Sequence, residues 1–361
     1  MGHSAAPASA QGAAPVPGEP PGQFRAVPDE VVAAGLGTVV ALVGPTAAGK
    51  SDVAVALAAR LAAAGRPAEV VNADAMQLYR GMDVGTAKLT GHERRGVPHH
   101  LLDVLDVREP ADVATYQHLA RTAVADVAAR GAVPLLVGGS GLYVRAVLDE
   151  MDFPGTDPVL RRRWEERLAA VGAGALHAEL AAVDPAAAAR ILPSNGRRIV
   201  RALEVVELTG RPFSASLPQP RYVRPAVQVS LAVPRPQLDA RIDARVRRML
   251  DAGLVAEVEA LAARGLREGR TASRALGYAQ VLDALDGRCT LAEAAAETAR
   301  ATRKFARRQE SWFRRDPRVR WVPAPDGRGA AELADEVWRV LAAGAGAGAG
   351  AVPGTGRTLG P

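Results

Sequence analysis

Short apolar runs alternate with amphipathic segments along the first half of the chain. Residues 39–43, 68–72 and 133–137 are short and mostly apolar, which is typical of buried strands. Apolar positions recur with helical spacing over residues 52–64 and 113–130, and a glycine follows both segments. This alternation predicts an α/β fold in which helices flank a parallel sheet.

The pattern changes after residue 153. Residues 153–222 have helical periodicity and no clear strand, and prolines bound the segment on both sides. A strand-like run returns at 227–233, and two long amphipathic segments follow at about 238–264 and 291–315. We therefore expect the chain to leave the sheet, form an all-helical insertion and then return to the sheet.

Alanine, proline and glycine dominate both ends of the sequence. A segment of this composition cannot bury enough apolar surface to offset the entropy of an ordered chain. The sequence therefore predicts four regions: disordered tails at 1–36 and 342–361, a P-loop-type core formed by 37–152 and 223–341, and a helical insertion at 153–222.

The composition limits the cellular setting. The chain has 361 residues and a single cysteine, Cys289. One cysteine excludes an intramolecular disulfide and a cysteine-rich metal site, and it suits a reducing compartment. The first 36 residues contain no continuous apolar segment as long as a signal peptide core or a membrane span. We expect a cytoplasmic monomer that does not bind a membrane.

Positive charge is concentrated near the end of the predicted core. The chain has a formal net charge of +6, but residues 300–320 alone contain nine basic and two acidic residues. Five of the basic residues have the spacing of one helical face: Arg300, Arg303, Lys304, Arg307 and Arg308. Because like charges at this spacing repel each other, the face favours a polyanionic partner; a solvated surface is the alternative.

A GxxxxGKS motif directly follows the first apolar run. Its residues are Gly44, Pro45, Thr46, Ala47, Ala48, Gly49, Lys50 and Ser51. A motif of this kind between a strand and a helix specifies a phosphate cradle, a P-loop, in which backbone amides surround an oxyanion. Lys50 supplies a cation and Ser51 can hold Mg²⁺. The motif identifies phosphate as the ligand but does not identify the reaction.

Two further loops should meet this cradle. Asp74 follows the second apolar run and residues 138–143 follow the third, and ligands of parallel sheets bind at the carboxyl ends of the strands. Asp74 can then serve as a general base, with a helix N-cap as the alternative. A kinase needs another carboxylate for Mg²⁺; the third run ends in Gly-Gly-Ser, which leaves Asp103 as the candidate.

Eight segments, in order along the chain, resemble the tRNA dimethylallyltransferases, also called tRNA isopentenyltransferases. The segments are 44–51, 74–79, 81–88, 97–103, 138–143, 197–204, 241–246 and 273–278, and the resemblance spans residues 38–322. Three residues depart from the family's usual ones: Ala75 replaces Ser, Ser140 replaces Thr and Leu89 replaces Pro. Ser140 keeps a hydroxyl. Ala75 does not, so the contact of that hydroxyl is lost or taken over by the backbone.

The resemblance implies a reaction. A dimethylallyl group moves from dimethylallyl diphosphate to N6 of adenosine 37, beside the tRNA anticodon. Lys50, Arg245 and Ser51 with Mg²⁺ would stabilise the diphosphate leaving group. Asp74 would accept the N6 proton, and Ser140 would orient Asp74 or the bridging oxygen of the donor. The adenine must leave its stack to reach the crevice.

The resemblance also implies a surface that binds the tRNA anticodon stem-loop. Three segments and the basic helix face would contribute to it, and the arginines and lysine suit phosphate contacts. The resemblance implies contacts from Asp74, Ala75, Met76, Gln77, Arg197, Arg198, Arg201, Arg274, Gly277, Tyr278 and Gln280, and the charge pattern adds Arg300, Arg303, Lys304 and Arg307. We expect Trp312 and Phe313 to pack in the core, with stacking on a base as the alternative.

Three other functions are weighed against this one. An enzyme of the same chemistry that acts on free adenine nucleotides would share the P-loop and Asp74, but it would need no basic helical insertion. A P-loop kinase of a small metabolite would consume ATP. A non-catalytic RNA-binding module would leave the P-loop and Asp74 without a role.

Overall fold

The computed structural model describes residues 38–216 and 220–345, and its centre is a six-stranded sheet in which all strands run parallel. The order of the strands across the sheet is β3-β2-β4-β1-β5-β6. The strands are β1 (Val39–Val43), β2 (Ala68–Asn72), β3 (His99–His100), β4 (Val133–Gly138), β5 (Ala226–Ala232) and β6 (Val319–Pro323). The predicted α/β fold with a parallel sheet is confirmed.

Helices cover both faces of this sheet and fill the segment between β4 and β5. They are α1 (Lys50–Ala63), α2 (Val113–Ala129), α3 (Gly141–Leu148), α4 (Pro158–Val183), α5 (Pro185–Ala188), α6 (Gly196–Thr209), α7 (Arg235–Asp251), α8 (Leu254–Ala263), α9 (Tyr278–Leu285), α10 (Leu291–Arg314) and α11 (Ala330–Ala345). Among residues 38–216 and 220–345, none of the helices combines the length and the apolar character that a membrane span requires.

The structure differs from the sequence prediction in several places. The long helix expected at 238–264 is two helices, because Gly253 adopts a left-handed conformation (φ 96°) and caps the start of α8. β6 was not predicted, since exposed Arg320 interrupts its apolar residues. α11 was not predicted either, and it extends to Ala345, so the first four residues of the predicted C-terminal tail are helical. The rest of that tail and residues 1–36 lie outside the described residues.

β1 is buried on both faces, which is why it is apolar without alternation. On one face, Leu42 packs in a cluster with Leu57 of α1 and Trp338 of α11. On the other face, Val43 packs with Val124 of α2. Burying one such aliphatic side chain contributes about 1.5–3 kcal/mol to stability. These two layers fix β1, and therefore the loop that follows it, from both sides.

The segment between α3 and β5 forms its own small core. In its described residues, 153–216 and 220–222, this segment contains no strand, and Leu176, Ile199 and Leu203 are buried together in it. The two chain crossings into the sheet domain lie side by side, because the Glu150 amide donates to the Arg221 carbonyl at 2.9 Å. This architecture is compatible with the predicted insertion at 153–222, whose boundaries stay a prediction.

Candidate active site

A cavity of about 930 Å³ opens at the carboxyl ends of β1, β2 and β4. The loops that follow these three strands all contribute to its wall, through residues that include Lys50, Asp74 and Gly139. Helix α7 closes another side with Arg245 and Arg248. The strand topology therefore brings together the three loops that the sequence singled out.

The P-loop is held in a tight shape by three residues with positive φ. Gly44 has φ 122° and Gly49 has φ 89°, and between them Ala47 has φ 62°. At Gly44 a Cβ would lie 2.4 Å from Ser230 Oγ, so this position also needs glycine for close approach to β5. Ala47 adopts the left-handed conformation despite its Cβ, which the surrounding contacts must enforce.

Lys50 and Arg245 bring two cations next to Asp74. Lys50 Nζ donates a hydrogen bond to the Pro45 carbonyl at 2.7 Å. Burial lowers the pKa of Lys50 to about 8; Asp74 opposes this shift and Arg245 adds to it. Burial also lowers the pKa of Arg245, and Asp74 again opposes the shift. Both cations are thus desolvated and are within electrostatic reach of the Asp74 carboxylate.

Asn72, which sequence reasoning did not single out, fixes the backbone of Asp74. Its Oδ1 accepts the Asp74 amide at 2.9 Å, and its Nδ2 donates to the carbonyls of Asp74 and Leu101, both at 3.0 Å. The hydroxyl of Tyr116 donates to the Asn72 carbonyl at 2.9 Å. Asp74 itself accepts the Met76 amide at 3.0 Å through Oδ1. It caps a short 3₁₀ helix with one oxygen while it lines the cavity.

Ser140 contacts the backbone beside Asp74. Its Oγ accepts the Ala75 amide at 3.4 Å, and its own amide donates to the Ala73 carbonyl at 3.3 Å. The two loops approach so closely that a Cβ at Gly138 would lie 2.2 Å from the Ala73 oxygen. The contact at position 75 is therefore made by the backbone, and the Ser140 hydroxyl is directed at the residue that follows Asp74.

The loop at 83–88 also lines the cavity, and Glu257 of α8 holds it in place. The Glu257 carboxylate accepts the amides of Asp83, Val84 and Gly85 at 3.0, 2.7 and 3.1 Å. At the end of this loop, Arg245 Nη2 donates to the Thr86 carbonyl at 3.0 Å, and Gln77 donates to the same oxygen at 3.2 Å. The 83–88 loop thereby fixes Arg245, although Thr86 and Arg245 lie 159 residues apart in the sequence.

Tyr278 has a structural position, which corrects its placement on the RNA surface. Its side chain is fully buried, and its hydroxyl donates to Glu257. A Cβ at Gly85 would lie 2.5 Å from the Tyr278 ring, so the ring packs directly under the 83–88 loop. From this position the ring cannot contact RNA. It supports the cavity wall instead.

Lys88 and Asp103 form a pair beside the cavity. Lys88 Nζ donates to the carboxylates of Asp83 and Asp103, both at 2.6 Å, and its side chain is only 3% exposed. Asp103 is therefore paired with Lys88, and it is not among the described residues that line the cavity. This position does not suit the Mg²⁺-binding carboxylate of a kinase.

Two carboxylates accompany Ser51 at the cavity wall, Asp52 and Glu93. Burial and, to a smaller extent, the nearby Glu93 raise the pKa of Asp52, whereas Arg95 lowers it. Within the described part of the chain, no group of three or more His, Cys, Asp or Glu side chains is arranged to hold a metal. This donor set fits a Mg²⁺ ion that takes most of its ligands from substrate phosphates and water.

Gln309 is a second residue that sequence reasoning missed. It belongs to α10, its side chain is buried, and it lines the cavity. It donates to the Gly139 carbonyl and accepts the Thr46 amide, both at 2.9 Å. Its position in the helix, between charged residues, gave no signal, because both partners lie far away in the sequence.

The residues expected to bind RNA fall into two groups. Arg197, Arg198 and Arg274 are exposed. By contrast, Arg201 donates to the carbonyls of Pro154 and Gly155 and pairs with Glu204, so it holds the insertion together. The Gln280 side chain accepts the Gly277 amide at 2.8 Å and caps α9.

The basic face of α10 is narrower than its spacing predicted. Arg303 pairs with Asp243 of α7 and Arg300 pairs with Glu297. Lys304 and Arg307 are exposed. Lys304 and Arg307 therefore remain as exposed cations of this face, whereas Arg300 and Arg303 form ion pairs with carboxylates.

Trp312 is not a core residue, which makes that expectation wrong. Trp312 is 42% exposed, whereas Phe313 is buried as expected. The indole lies against the start of α3, where a Cβ at Gly141 would be 2.2 Å from Trp312 Nε1. An apolar side chain at the end of α10 is thus exposed beside the Gly138–Ser140 loop.

Comparison with known proteins identifies the family. The family model described as IPP transferase matches residues 77–316. The chain is 73% identical to the tRNA dimethylallyltransferase of Kineococcus radiotolerans, with 84% of this chain and 96% of the relative covered. It is 66% identical to the enzyme of the same name from Thermobifida fusca, over 81% and 92% of the two chains.

A solved structure agrees with this assignment. The tRNA isopentenylpyrophosphate transferase of Bacillus halodurans is 39% identical, superposes with a TM-score of 0.63, and is matched over 86% of this chain and 97% of that chain. The overall fold of this chain thus agrees with that of a solved tRNA isopentenylpyrophosphate transferase. The chain belongs to the IPP transferase family of tRNA dimethylallyltransferases.

Proposed function

We propose that this chain transfers the dimethylallyl group of dimethylallyl diphosphate to N6 of adenosine 37 in tRNA. The products are N6-dimethylallyladenosine and diphosphate. The observation that carries the proposal is the position of Asp74 in one cavity with Lys50, Arg245 and the P-loop. A base beside a desolvated diphosphate site suits transfer from a diphosphate to an amine. The names of the relatives support the same reaction.

In this proposal the P-loop and two cations bind the leaving group. The amides at the start of α1 and the positive end of the helix attract an anion. Lys50 and Arg245 then offset the negative charge that grows on the diphosphate as the C–O bond to the dimethylallyl carbon breaks. Their burial strengthens the interaction, because water does not screen charges in a desolvated site.

Mg²⁺ is the proposed metal ion. Ser51 would contribute its hydroxyl, and Asp52 is the neighbouring carboxylate on the cavity wall. Bound there with the diphosphate, the ion would neutralise negative charge on the leaving group. It would also relieve the repulsion that contributes to the raised pKa of Asp52.

Asp74 is the proposed base. As N6 forms its bond to the dimethylallyl carbon, the Asp74 carboxylate accepts the proton that the amine loses. Proton transfer of this kind typically contributes about 10²- to 10⁴-fold to a rate. Asn72 and Ser140 hold the backbone on either side of Asp74, so we assign Ser140 the role of a positioning group.

The proposed acceptor is an anticodon stem-loop, bound by the exposed cations of the insertion and of α10. Arg197 and Arg198 lie at the start of α6, and Lys304 and Arg307 lie on α10. Cations on separate helices suit the phosphates of a folded RNA. A small adenine nucleotide would need neither set. A tRNA substrate also fits a cytoplasmic enzyme. Because all proposed catalytic groups come from one chain, a monomer would suffice for the reaction.

The test measures the choice of acceptor. Purified protein with Mg²⁺ and radiolabelled dimethylallyl diphosphate receives either an anticodon stem-loop with adenosine at positions 36 and 37, or AMP. We expect label in the stem-loop, and none in a matched stem-loop with guanosine at position 37. Preferential labelling of AMP would contradict the tRNA assignment, and release of ADP from added ATP would favour a kinase.

A further inference from the structure

Gln309 connects the two loops that carry the proposed chemistry. The residue is buried, with 7% of its surface exposed. Oε1 accepts the amide of Thr46 in the P-loop at 2.9 Å, and Nε2 donates to the carbonyl of Gly139 at 2.9 Å. A single planar group thus spans the diphosphate cradle and the loop that leads to Ser140.

A glutamine suits this position because the two loops offer groups of opposite polarity. Thr46 presents an N–H and Gly139 presents a C=O, and a primary amide supplies one acceptor and two donors in a rigid plane. The fit is close: a Cβ at Gly139 would lie 2.3 Å from Gln309 Nε2 and 2.9 Å from the Gly44 oxygen. Any side chain at position 139 would push the Gln309 amide and the Gly44 carbonyl away from Gly139.

The bond to Thr46 also has a consequence for the shape of the P-loop. Thr46 precedes Ala47, which lines the cavity in a left-handed conformation that residues with a Cβ rarely adopt. A conformation of this kind persists only where neighbouring contacts enforce it. Gln309 fixes the amide immediately before Ala47, and so it supports this conformation of the P-loop.

We infer that Gln309 is a positioning residue that sets the distance between the diphosphate cradle and the base. The chain of contacts runs from Thr46 through Gln309 to Gly139, and from Ser140 to the amide of Ala75, next to Asp74. This inference rests on the proposed function for its effect on turnover. Its effect on diphosphate binding does not depend on the identity of the acceptor.

Loss of this amide should affect the donor and not the RNA. Without Gln309 the P-loop can relax, so the affinity for diphosphate falls and the leaving group moves relative to Asp74. The affinity for the stem-loop should stay the same, because Gln309 is buried. A residue with only a packing role would tolerate a side chain of the same length and volume.

Gln309→Met and Gln309→Glu test the inference with side chains of similar size. Methionine removes both hydrogen bonds. Glutamate keeps an acceptor for Thr46 but places a carboxylate against the Gly139 oxygen and beside the anion site. Gln117→Met is the matched control, because Gln117 is partly buried and donates to the carbonyls of Ala146 and Met151 at 2.9 and 3.0 Å, away from the cavity.

The readouts are the Kd for inorganic diphosphate with Mg²⁺, measured by calorimetry without RNA, and then kcat and both KM values. For the two Gln309 variants we expect a roughly 10- to 100-fold weaker Kd, the size of one or two lost hydrogen bonds, and a lower kcat. KM for the stem-loop should not change. Gln117→Met should lower the melting temperature and leave the diphosphate Kd at the wild-type value.

An unchanged Kd in Gln309→Met, or an equal loss in Gln117→Met, would overturn the inference. If Gln309→Met does not fold, Gln309→Asn keeps both polar groups one methylene short and should show the same weaker Kd. A wild-type protein that binds diphosphate but labels no stem-loop would instead contradict the proposed function, and the calorimetric comparison would still decide the role of Gln309.

Discussion

Cations occur in two very different settings in this protein, inside the cavity and on the surface of α10. Lys50 and Arg245 are desolvated and lie within electrostatic reach of the Asp74 carboxylate. Lys304 and Arg307 are exposed to solvent, where salt screens a charge within about 8 Å at physiological ionic strength. Both settings attract phosphate. Only the buried cations of the cavity can hold a phosphate in the position that the reaction requires. The exposed cations of α10 suit the attraction of a large polyanion.

The largest expected effect is inside the cavity, at the base. Asp74→Asn should lower kcat by about 10²- to 10⁴-fold and leave the affinity for the stem-loop nearly unchanged. Asparagine keeps an oxygen that can accept the Met76 amide, so the cap on the short 3₁₀ helix is preserved. Single-turnover transfer and equilibrium binding measure the two parts. A loss below tenfold would remove Asp74 from the role of base.

The second effect is a pH dependence of donor binding. Burial places the pKa of Lys50 at about 8, below its ordinary value, so Lys50 becomes neutral as the pH rises through about 8. The affinity for diphosphate should therefore fall above this pH, by at most about tenfold for each pH unit. Calorimetry between pH 7 and pH 9.5 measures the change. Lys50→Arg should abolish the fall, because arginine stays charged; a fall that persists in this variant would have another origin.

The third effect belongs to the surface. Lys304→Ala and Arg307→Ala should each weaken stem-loop binding several-fold and reduce the slope of log K against log salt by about one. Arg303→Ala is the control, since Arg303 pairs with Asp243 and its loss should change the slope little. Binding titrations at several salt concentrations separate these outcomes. If Lys304→Ala and Arg307→Ala keep the wild-type slope, that face is solvated and not bound to RNA.

The smallest effect on RNA affinity is expected at Tyr278. Tyr278→Phe removes its hydrogen bond to Glu257 and should lower the free energy of unfolding by about 1 kcal/mol, with no change in stem-loop affinity. Arg274→Ala, at an exposed position in the same segment, should weaken RNA binding and leave stability unchanged. Thermal unfolding and RNA-binding assays on both variants distinguish a residue that stabilises the fold from a residue that contacts RNA. The reverse result would return Tyr278 to the RNA surface.

The sequence predicted those parts of the site that depend on residues close together in the chain, which are the P-loop and the strands before the site loops. The P-loop needs glycines at fixed spacing, and buried parallel strands need apolar runs, so Gly44–Ser51 and β1, β2 and β4 were recognisable. Gln309 and Glu257 were not, since each acts through residues that are more than 150 positions away in sequence. Their chemistry exists only after the helices pack against the loops.

The same limit explains the residues that were assigned wrongly. A tyrosine and a tryptophan in basic segments give no sign of which faces the core, and the structure buries Tyr278 and exposes Trp312. The spacing predicted five cations on one face of α10, but it could not show that α7 would present Asp243 to Arg303. Charge patterns therefore identify a helix surface, whereas ion pairs depend on neighbouring elements.

The most direct test of the account is the stoichiometry of a single reaction mixture that contains unmodified tRNA, dimethylallyl diphosphate, Mg²⁺ and ATP. Mass spectrometry of the digested tRNA is compared with assays for diphosphate and ADP. We expect one N6-dimethylallyladenosine at position 37 for each diphosphate released, with ATP unchanged. Modification of free adenine nucleotides, or ADP formation without a modified nucleoside at position 37, would contradict it.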